Sequence, residues 1–516
     1  MTWLLDVGLW LGGLGLTLIL GAWLLWWGLL GDRSKGRPRC PRCWYLMQGL
    51  SPEATKCPEC GNDARNRRRL FKNRRRWSAI TAAFALIVPA VYAMSVVWTY
   101  HREQRAIAFL GNDPIASVRG AIHGPEWLVA SLPGQFTRFY YRIELVRGRF
   151  ATDADIRRLR RLDYLTDLYI GDSSFTDSGA SLLADFDGLF TLVAGSSAIT
   201  DGGLESLGAN PALRGLGLIN NGLVTENGFA SLAGLSQLGA LELADSAVTD
   251  AGILQLKELP ALRILDLRRT PVSDATLANV SEHFKGLWVL SLDGTTITDA
   301  GLADLKEHSQ LTNLLLADTV VSDAGMAAIG DLPSIVTLDI SRTSVGDVGL
   351  AAICSMPSLE NLSIEGSLIT PEGMAALGRC PALTGLTMDG TQLEGVGARN
   401  LATIPRLKDL GLTGETVNDQ SLAALAALPT LQGLGIVGSK VTNDGLAGLT
   451  AVTGLTRLYL EENAKLTDRC FSNIAAMKSI EQVTLMGTDT MTQEDARELR
   501  DLLPGIVVVW HPRPPR

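Results

Sequence analysis

The chain has 516 residues, of which 46 are basic and 54 acidic, 46% apolar and 19% charged. A chain this apolar, with a formal charge of only −8, is not intrinsically disordered, and its length allows several domains or one long repeat array. Seven cysteines exclude a disulfide-dense secreted scaffold, and five histidines leave little for a histidine-built metal centre.

Charge is distributed unevenly. Val7–Leu30 is 24 residues without a charge; residues 31–76 carry 14 basic and 4 acidic side chains; Trp77–Trp98 is again uncharged; the remainder holds 32 basic and 49 acidic residues. An uncharged run of about 18 residues or more crosses a bilayer as a helix. Residues 1–30 and 77–98 are therefore predicted to be transmembrane helices. Trp3, Trp10, Trp23, Trp26 and Trp27 accompany the first, and Trp77, Tyr92, Trp98 and Tyr100 the second. Such amphipathic rings suit the headgroup level. Pro89 is expected to loosen one turn of the second helix. A cleaved signal peptide fits the first run poorly, because Met1–Asp6 has no Lys or Arg and no small-residue cleavage site precedes the basic stretch.

Basic loops are retained in the cytoplasm. The loop at 31–76 includes Arg67–Arg69 and Arg74–Arg76, whereas the ten residues after Trp98 carry only Arg102 and Arg105 against Glu103. The expected topology is a two-span inner-membrane protein with a cytoplasmic loop and an extracytoplasmic C-terminal part.

Within the loop, Cys40-Pro-Arg-Cys43 and Cys57-Pro-Glu-Cys60-Gly61 are two C-x-x-C pairs separated by thirteen residues. Four thiolates at this spacing suit a closed tetrahedral Zn²⁺ site, structural rather than catalytic, over residues 40–61. Proline after the first cysteine of each pair fixes a turn dihedral, and Gly61 permits positive φ. Two redox disulfides are the alternative, disfavoured in a reducing compartment. The surrounding basic residues set topology and meet anionic lipid; nucleic acid is the less favoured partner.

Residues 99–138 read as a juxtamembrane stem, with Gly124-Pro-Glu-Trp127-Leu128 as a short helix start. From 139 to 510 the chain repeats. The leading apolar residues run Leu165, Leu189, Leu213, Leu238 and onward to Ile480, fourteen units with steps of 24 and three of 25. The frame L-x-x-L-x-L-x-x-[TSN]-x-[IV]-[TS]-D-x-G-L-x-x-L has the period of a leucine-rich repeat. The predicted fold class is an α/β solenoid of parallel strands and short helices. Leu290 and Leu292 face the core and Ser291 faces out. Small polar residues such as Ser173, Thr295 and Thr343 bond the backbone where the coil turns. Thr298 and Ser322 cap a helix, Asp299 and Asp323 favour its dipole, and Gly301 and Gly325 allow close helix–strand packing. Phe139–Val146 with Asp153–Leu162 form a degenerate first unit and Ile506–Trp510 a final strand. The tail, 511–516, contains Pro512, Pro514 and Pro515.

No catalytic constellation is evident. His101, His123, His283, His308 and His511 are scattered, and no phosphate loop or metalloprotease motif is present. Cys354, Cys380 and Cys470 are expected to be free and buried, with pairing of Cys354 and Cys380 the alternative if the array lies outside the cytoplasm. The outward strand positions are the candidate surface for a protein partner: Tyr169, Glu242, Asp266, Arg268, Asp293, Asp339, Glu365, Asp389, Asp409 and Tyr459. An acidic face attracts a basic partner; a merely solvated surface is the other reading. Oligomeric state is not legible.

Residues 141–510 resemble bacterial leucine-rich repeat proteins whose units end in TDAGL. The stem GPEWL resembles the lead-in of planctomycete members. The loop CPRC…YLMQGL…CPECG is similar to a zinc-ribbon-like loop of planctomycete membrane proteins, with Trp44 where glycine is usual. The resemblance implies a protein-interaction role and matches Cys40, Cys43, Cys57 and Cys60 to metal ligands. It implies no catalytic residue.

Overall fold

The computed structural model describes residues 2–29, 37–43, 45–48, 55–63, 77–108, 117–123, 141–149, 152–390, 393, 396–428, 430–486, 492–503 and 505–511. The GPEWL stem, the arginine triplets, Trp44 and the prolines at 512, 514 and 515 lie outside the described residues. The chain divides into two compact units, Met1–Ala108 with Gly120–Ile143, and Phe109–Arg119 with Glu144–Arg516.

In the first unit, two long helices run over Thr2–Leu29 and Trp77–Ala106. They approach closely at Gly21, where a Cβ would lie 2.6 Å from Ile87 Cγ1. Ser78–Ala106 is long and apolar enough to cross a membrane, and includes an 18-residue stretch of mean hydropathy 2.2. In the first helix the described apolar stretch is shorter, Gly15–Trp27. The second helix continues past Trp98 to Ala106, beyond the uncharged run. Glu103, Gln104, Arg105 and Ala106 are good helix formers and no breaker interrupts them. Pro89 sits inside the unbroken helix.

In the second unit, sixteen strands stack in chain order from Tyr141–Arg149 to Val507–His511, each parallel to the next. Leu168 faces Leu192, a step of 24, whereas Leu216 faces Leu241, Leu265 faces Leu290 and Leu458 faces Val483, steps of 25. This is the solenoid expected from the repeat frame, with its degenerate first coil at Tyr141–Leu159 and its closing strand. Leu287, Leu290, Leu292, Ile297, Leu302 and Leu305 of one unit are all fully buried. At about 25 cal/mol per Å², such burial repeated through the stack holds the coils together.

Most coils turn away from their strand through a left-handed residue seven places after the leading leucine, from Asp172 (φ 44°) and Ser196 (φ 53°) to Glu462 (φ 50°). The next side chain bonds back to the strand, as expected. Thr270 Oγ1 donates to Leu267 O, Thr319 to Leu316 O and Thr343 to Ile340 O, each at 2.6 Å. These bonds satisfy carbonyls that the turn would otherwise strand.

Thr298 and Ser322 cap their helices and Asp299 and Asp323 lie in the first turn, as expected, but the Asp and Gly of T-D-x-G have a further role between coils. In most coils the carboxylate reaches the next coil and takes two hydrogen bonds from its cap residue. Thr200 N and Oγ1 donate to Asp177 at 2.7 and 2.6 Å; Thr298 N and Oγ1 donate to Asp274 at 2.8 and 2.6 Å; Ser322 N and Oγ donate to Asp299 at 2.7 and 2.6 Å. The glycine makes room for that carboxylate rather than for a strand. A Cβ on Gly203, Gly301, Gly325 or Gly445 would collide with Asp177, Asp274, Asp299 or Asp419 respectively. Where Thr276 replaces the glycine, its hydroxyl donates to Asp250 at 2.6 Å instead.

A second difference concerns cysteine. Cys354 and Cys380, expected to be free, form a disulfide with Cα atoms 4.5 Å apart. Both sit on the helix side of adjacent coils, and the coil spacing brings their Cα atoms within bridging range. Cys470 is free and buried, and burial pushes its thiol up to about 12.

Candidate functional site

Two small hairpins bring the loop cysteines together. Arg39 pairs antiparallel with Leu46, Cys40 N donates to Tyr45 O and Met47 N donates to Pro38 O, both at 2.9 Å. Lys56 pairs with Asp63, while Cys57 N donates to Asn62 O and Gly61 N to Cys57 O, both at 2.9 Å. Gly61 has φ +67°, the left-handed turn that glycine supplies without strain. Each C-P-x-C segment thus becomes a tight knuckle.

The four sulfurs lie within 4.8 Å of one another, with Cys40 to Cys60 at 3.6 Å and Cys43 to Cys57 at 3.5 Å. Tetrahedral coordination with Zn–S near 2.3 Å puts sulfurs about 3.8 Å apart. The donor set fits, and these four residues could hold a divalent metal. Met47 packs on Cys40, Cys57 and Cys60 to form a small apolar cluster. Burial opposes a Cys40 thiolate, but the Cys43 and Arg42 amides and neighbouring thiols outweigh it and lower its pKa to about 6. The Tyr45 amide favours the Cys43 thiolate, yet desolvation and the sulfurs of Cys60, Cys57 and Cys40 push that thiol up to about 12. Sulfurs this close cannot all ionise unaided; a bound cation offsets their repulsion.

The strand-face residues occupy the stacked coils in the register the repeat predicts, but most carboxylates have internal partners. Asp266 is buried at 6% exposure, gripped by Arg268 Nε at 2.9 and 3.0 Å and Nη2 at 2.7 Å. Ser291, expected to face solvent, is also buried, at 5%, between Asp266 and Leu315 in register on either side. Asp293 accepts from Ala317 N at 2.8 Å, Asp339 from Ser341 N at 2.9 Å and Asp389 from Gly366 N at 3.0 Å. Glu365 lies 3.5 Å from Arg342. Burial, then Asp266, pushes the Glu242 carboxyl up against the pull of Arg268. Burial raises Asp293 to about 6, with Asp339 and Asp266 adding to it and the Ala317 amide and Arg268 opposing.

At the two ends of the face, the aromatic residues are accessible. Arg147 stacks 4.9 Å above the Tyr169 ring, and Tyr459 is 44% exposed. A groove of about 380 Å³ runs from Asp339 to Tyr459, floored by Gly385, Gly411, Gly433 and Gly435. Asp409 and Arg457 pair at 2.7 Å across it, two coils apart. A Cβ on Gly433 would strike the Asp409 carboxylate, so glycine is what allows that ion pair to span the intervening coil. Arg147, Arg342 and Arg457 were not among the expected site residues. For Arg342 and Arg457, the spacing of one and two repeat periods from Asp318 and Asp409 was the signal available in the sequence.

The chain matches no protein-family model and no curated protein. Among solved structures it is similar to an internalin from Listeria monocytogenes, with 18% identity over 71% of this chain and 94% of that one, at a TM-score of 0.41. It is also similar to a leucine-rich repeat protein from Leptospira interrogans, with 16% identity over 68% of this chain and 91% of that one, at a TM-score of 0.38. The fold assignment rests on this chain's own coil register.

Proposed function

We propose that the chain is a membrane-anchored recognition protein. Two helices, 1–30 and 77–98, span the inner membrane. A structural Zn²⁺ held by Cys40, Cys43, Cys57 and Cys60 orders the cytoplasmic loop, and the repeat array outside binds a protein partner on its strand face. No chemistry is assigned to the array: its polar side chains are spent on joining coils and capping turns.

The partition of cysteine chemistry is the observation that carries this reading. The array contains a disulfide, Cys354–Cys380, whereas the loop contains four unbridged sulfurs at metal-binding distance. Disulfides persist in oxidising compartments and free thiolate sites in reducing ones. The helix at Ser78–Ala106 lies between the two in sequence and can separate them. The 14 basic residues at 31–76 favour the inner leaflet for the loop and supply its contact with anionic lipid.

Protease added to intact spheroplasts tests the arrangement. Digestion of the array with the loop protected is the expected result. Protection of both, or digestion of both, would remove the proposed topology. Cross-linking in intact cells then identifies the partner, and substitution of Tyr459 or Tyr169 by Ala should weaken its capture.

A further inference from the structure

A second cleft on the strand face lies at its N-terminal end. Three neighbouring strands set Arg147 beside Tyr169, and Tyr169 beside Val193, in register. Two residues further along, the chain carries Arg149, Gly171 and Gly195. Side chains two apart on a strand share a face, so the glycines leave a bare floor next to the Tyr169 row. With the turn residues Ser196 and Asn220 they enclose a cavity of about 480 Å³. That is room for a small ligand or for a side chain inserted from outside.

The fold demands glycine at neither position. Neither has a positive φ. A Cβ would meet nothing nearer than 3.8 Å at Gly171 or 3.5 Å at Gly195, which is ordinary contact. The same frame position carries Ile219, Ala244, Arg268 and Asp293 in the next four coils. Packing therefore permits a side chain, and the lack of one is what opens the cleft.

The polar groups around it are mainly donors. The Arg147 guanidinium lies 4.9 Å from the Tyr169 ring centroid, is exposed, and has no carboxylate partner among the described residues. A guanidinium held over a ring keeps its in-plane N–H edge for a planar acceptor. Arg149 and Asp172, 3.7 Å apart, offset each other. Ser196 Oγ accepts from Asn220 Nδ2 at 2.9 Å, which leaves its own proton to donate. The balance is one positive charge, in an array whose residues after 98 hold 49 acids against 32 bases. A single net cation suits a monoanion. A phosphomonoester dianion would bring one charge more than the cleft offsets, with Asp172 opposing it. Val193 and Ile219 line the cleft as apolar walls, so the stem that carries the anion is aliphatic.

We propose that this cleft takes a carboxylate on an apolar stem, an acidic side chain or a chain end of the partner protein, with Arg147 as the anchoring cation. Gly171 and Gly195 admit the stem, Arg147 holds the two carboxylate oxygens, and Ser196 offers a further donor. This names the chemistry that the strand face recognises, and it rests on that face being a protein-binding surface.

Fluorescence anisotropy on the full chain in detergent micelles tests this, with peptides that carry an uncharged dye. One probe is Gly-Ser-Leu-Glu-Leu-Ser-Gly with both ends blocked, beside its Gln counterpart; the other is Gly-Ser-Gly-Ser-Leu with a free C-terminus, beside its amide. A carboxylate peptide should bind about tenfold or more tighter than its uncharged counterpart, the worth of one charge-assisted hydrogen bond. The tighter of the two carboxylate peptides distinguishes a side chain from a chain end. R147Q should remove the preference for charge, and G195L should fill the cleft and abolish binding with an unchanged melt. Equal binding of charged and uncharged peptides, undiminished binding by R147Q or by a folded G195L, or no peptide binding at all would overturn the proposal. So would displacement of the bound peptide by dimethyl phosphate in preference to acetate. Partner capture in cells is read separately: a chain that captures its partner yet binds no carboxylate peptide loses this cleft and keeps the strand face.

Discussion

Gly301 is a glycine because of Asp274. The Asp274 carboxylate accepts from Thr298 N and Oγ1 at 2.8 and 2.6 Å, and a Cβ on Gly301 would intrude on it. Asp274→Ala should therefore cost about 2 kcal/mol, since its two bonds are charge-assisted but partly solvated. Gly301→Ala should also destabilise. The pair of changes should cost less than the sum of the two, because the collision disappears with the carboxylate. Thermal melts of the four proteins check this; strict additivity would refute the packing argument.

Leu290 is fully buried and pairs in register with Leu265 and Leu314. Leu290→Asp should destabilise the neighbouring coils by about 4 kcal/mol or more, because it buries an unpaired charge. Urea unfolding monitored by circular dichroism measures it, and an unchanged midpoint would show the register to be wrong.

Stability should depend on pH with opposite signs at two groups. Burial holds His308 below its ordinary 6.5, with Lys285 assisting and the Val280 and Leu305 backbone opposing. The unfolded chain then takes up a proton near 6.5 that the folded chain refuses. His308 therefore costs nothing above that pH and destabilises increasingly as pH falls below it, by at most about 1.4 kcal/mol per pH unit. His308→Met should flatten this slope. Asp293, raised to about 6 from 3.8, binds its proton more readily when folded. Its contribution grows as pH falls through about 6 towards 3.8. Asp293→Asn, which keeps an acceptor for Ala317 N, should stabilise the array at pH 7 and remove that trend. Denaturation midpoints between pH 4 and pH 8 distinguish the two variants.

Metal analysis of the full chain prepared under reducing conditions should find about one zinc per molecule, as four thiolate ligands require. Cys57→Ser should abolish retention, and a chelator should release the metal with loss of protection in the two hairpins. The array should melt unchanged in both cases, since it contains none of the four ligands. A metal-free reduced preparation would dismiss the centre.

Much of this was readable along the chain. A 24-residue period with leucines at the first, fourth and sixth places requires each strand to bury one face against its neighbours, which dictates parallel stacking. Two C-P-x-C segments make knuckles by local turn chemistry alone. Uncharged runs of membrane length need no tertiary knowledge to be seen. Relations between coils could not be read in the same way. The Asp of T-D-x-G has an acceptable local role at a helix start, and only stacking shows that its carboxylate serves the next coil. Asp266 looks exposed by strand alternation, but Arg268 covers it. Cys354 and Cys380, 26 residues apart, become adjacent only when one coil lies on another. Periodicity specifies which residues face inward, because that is a property of one strand or helix. Which polar side chains meet is a property of the space between coils, and that space exists only in the folded stack.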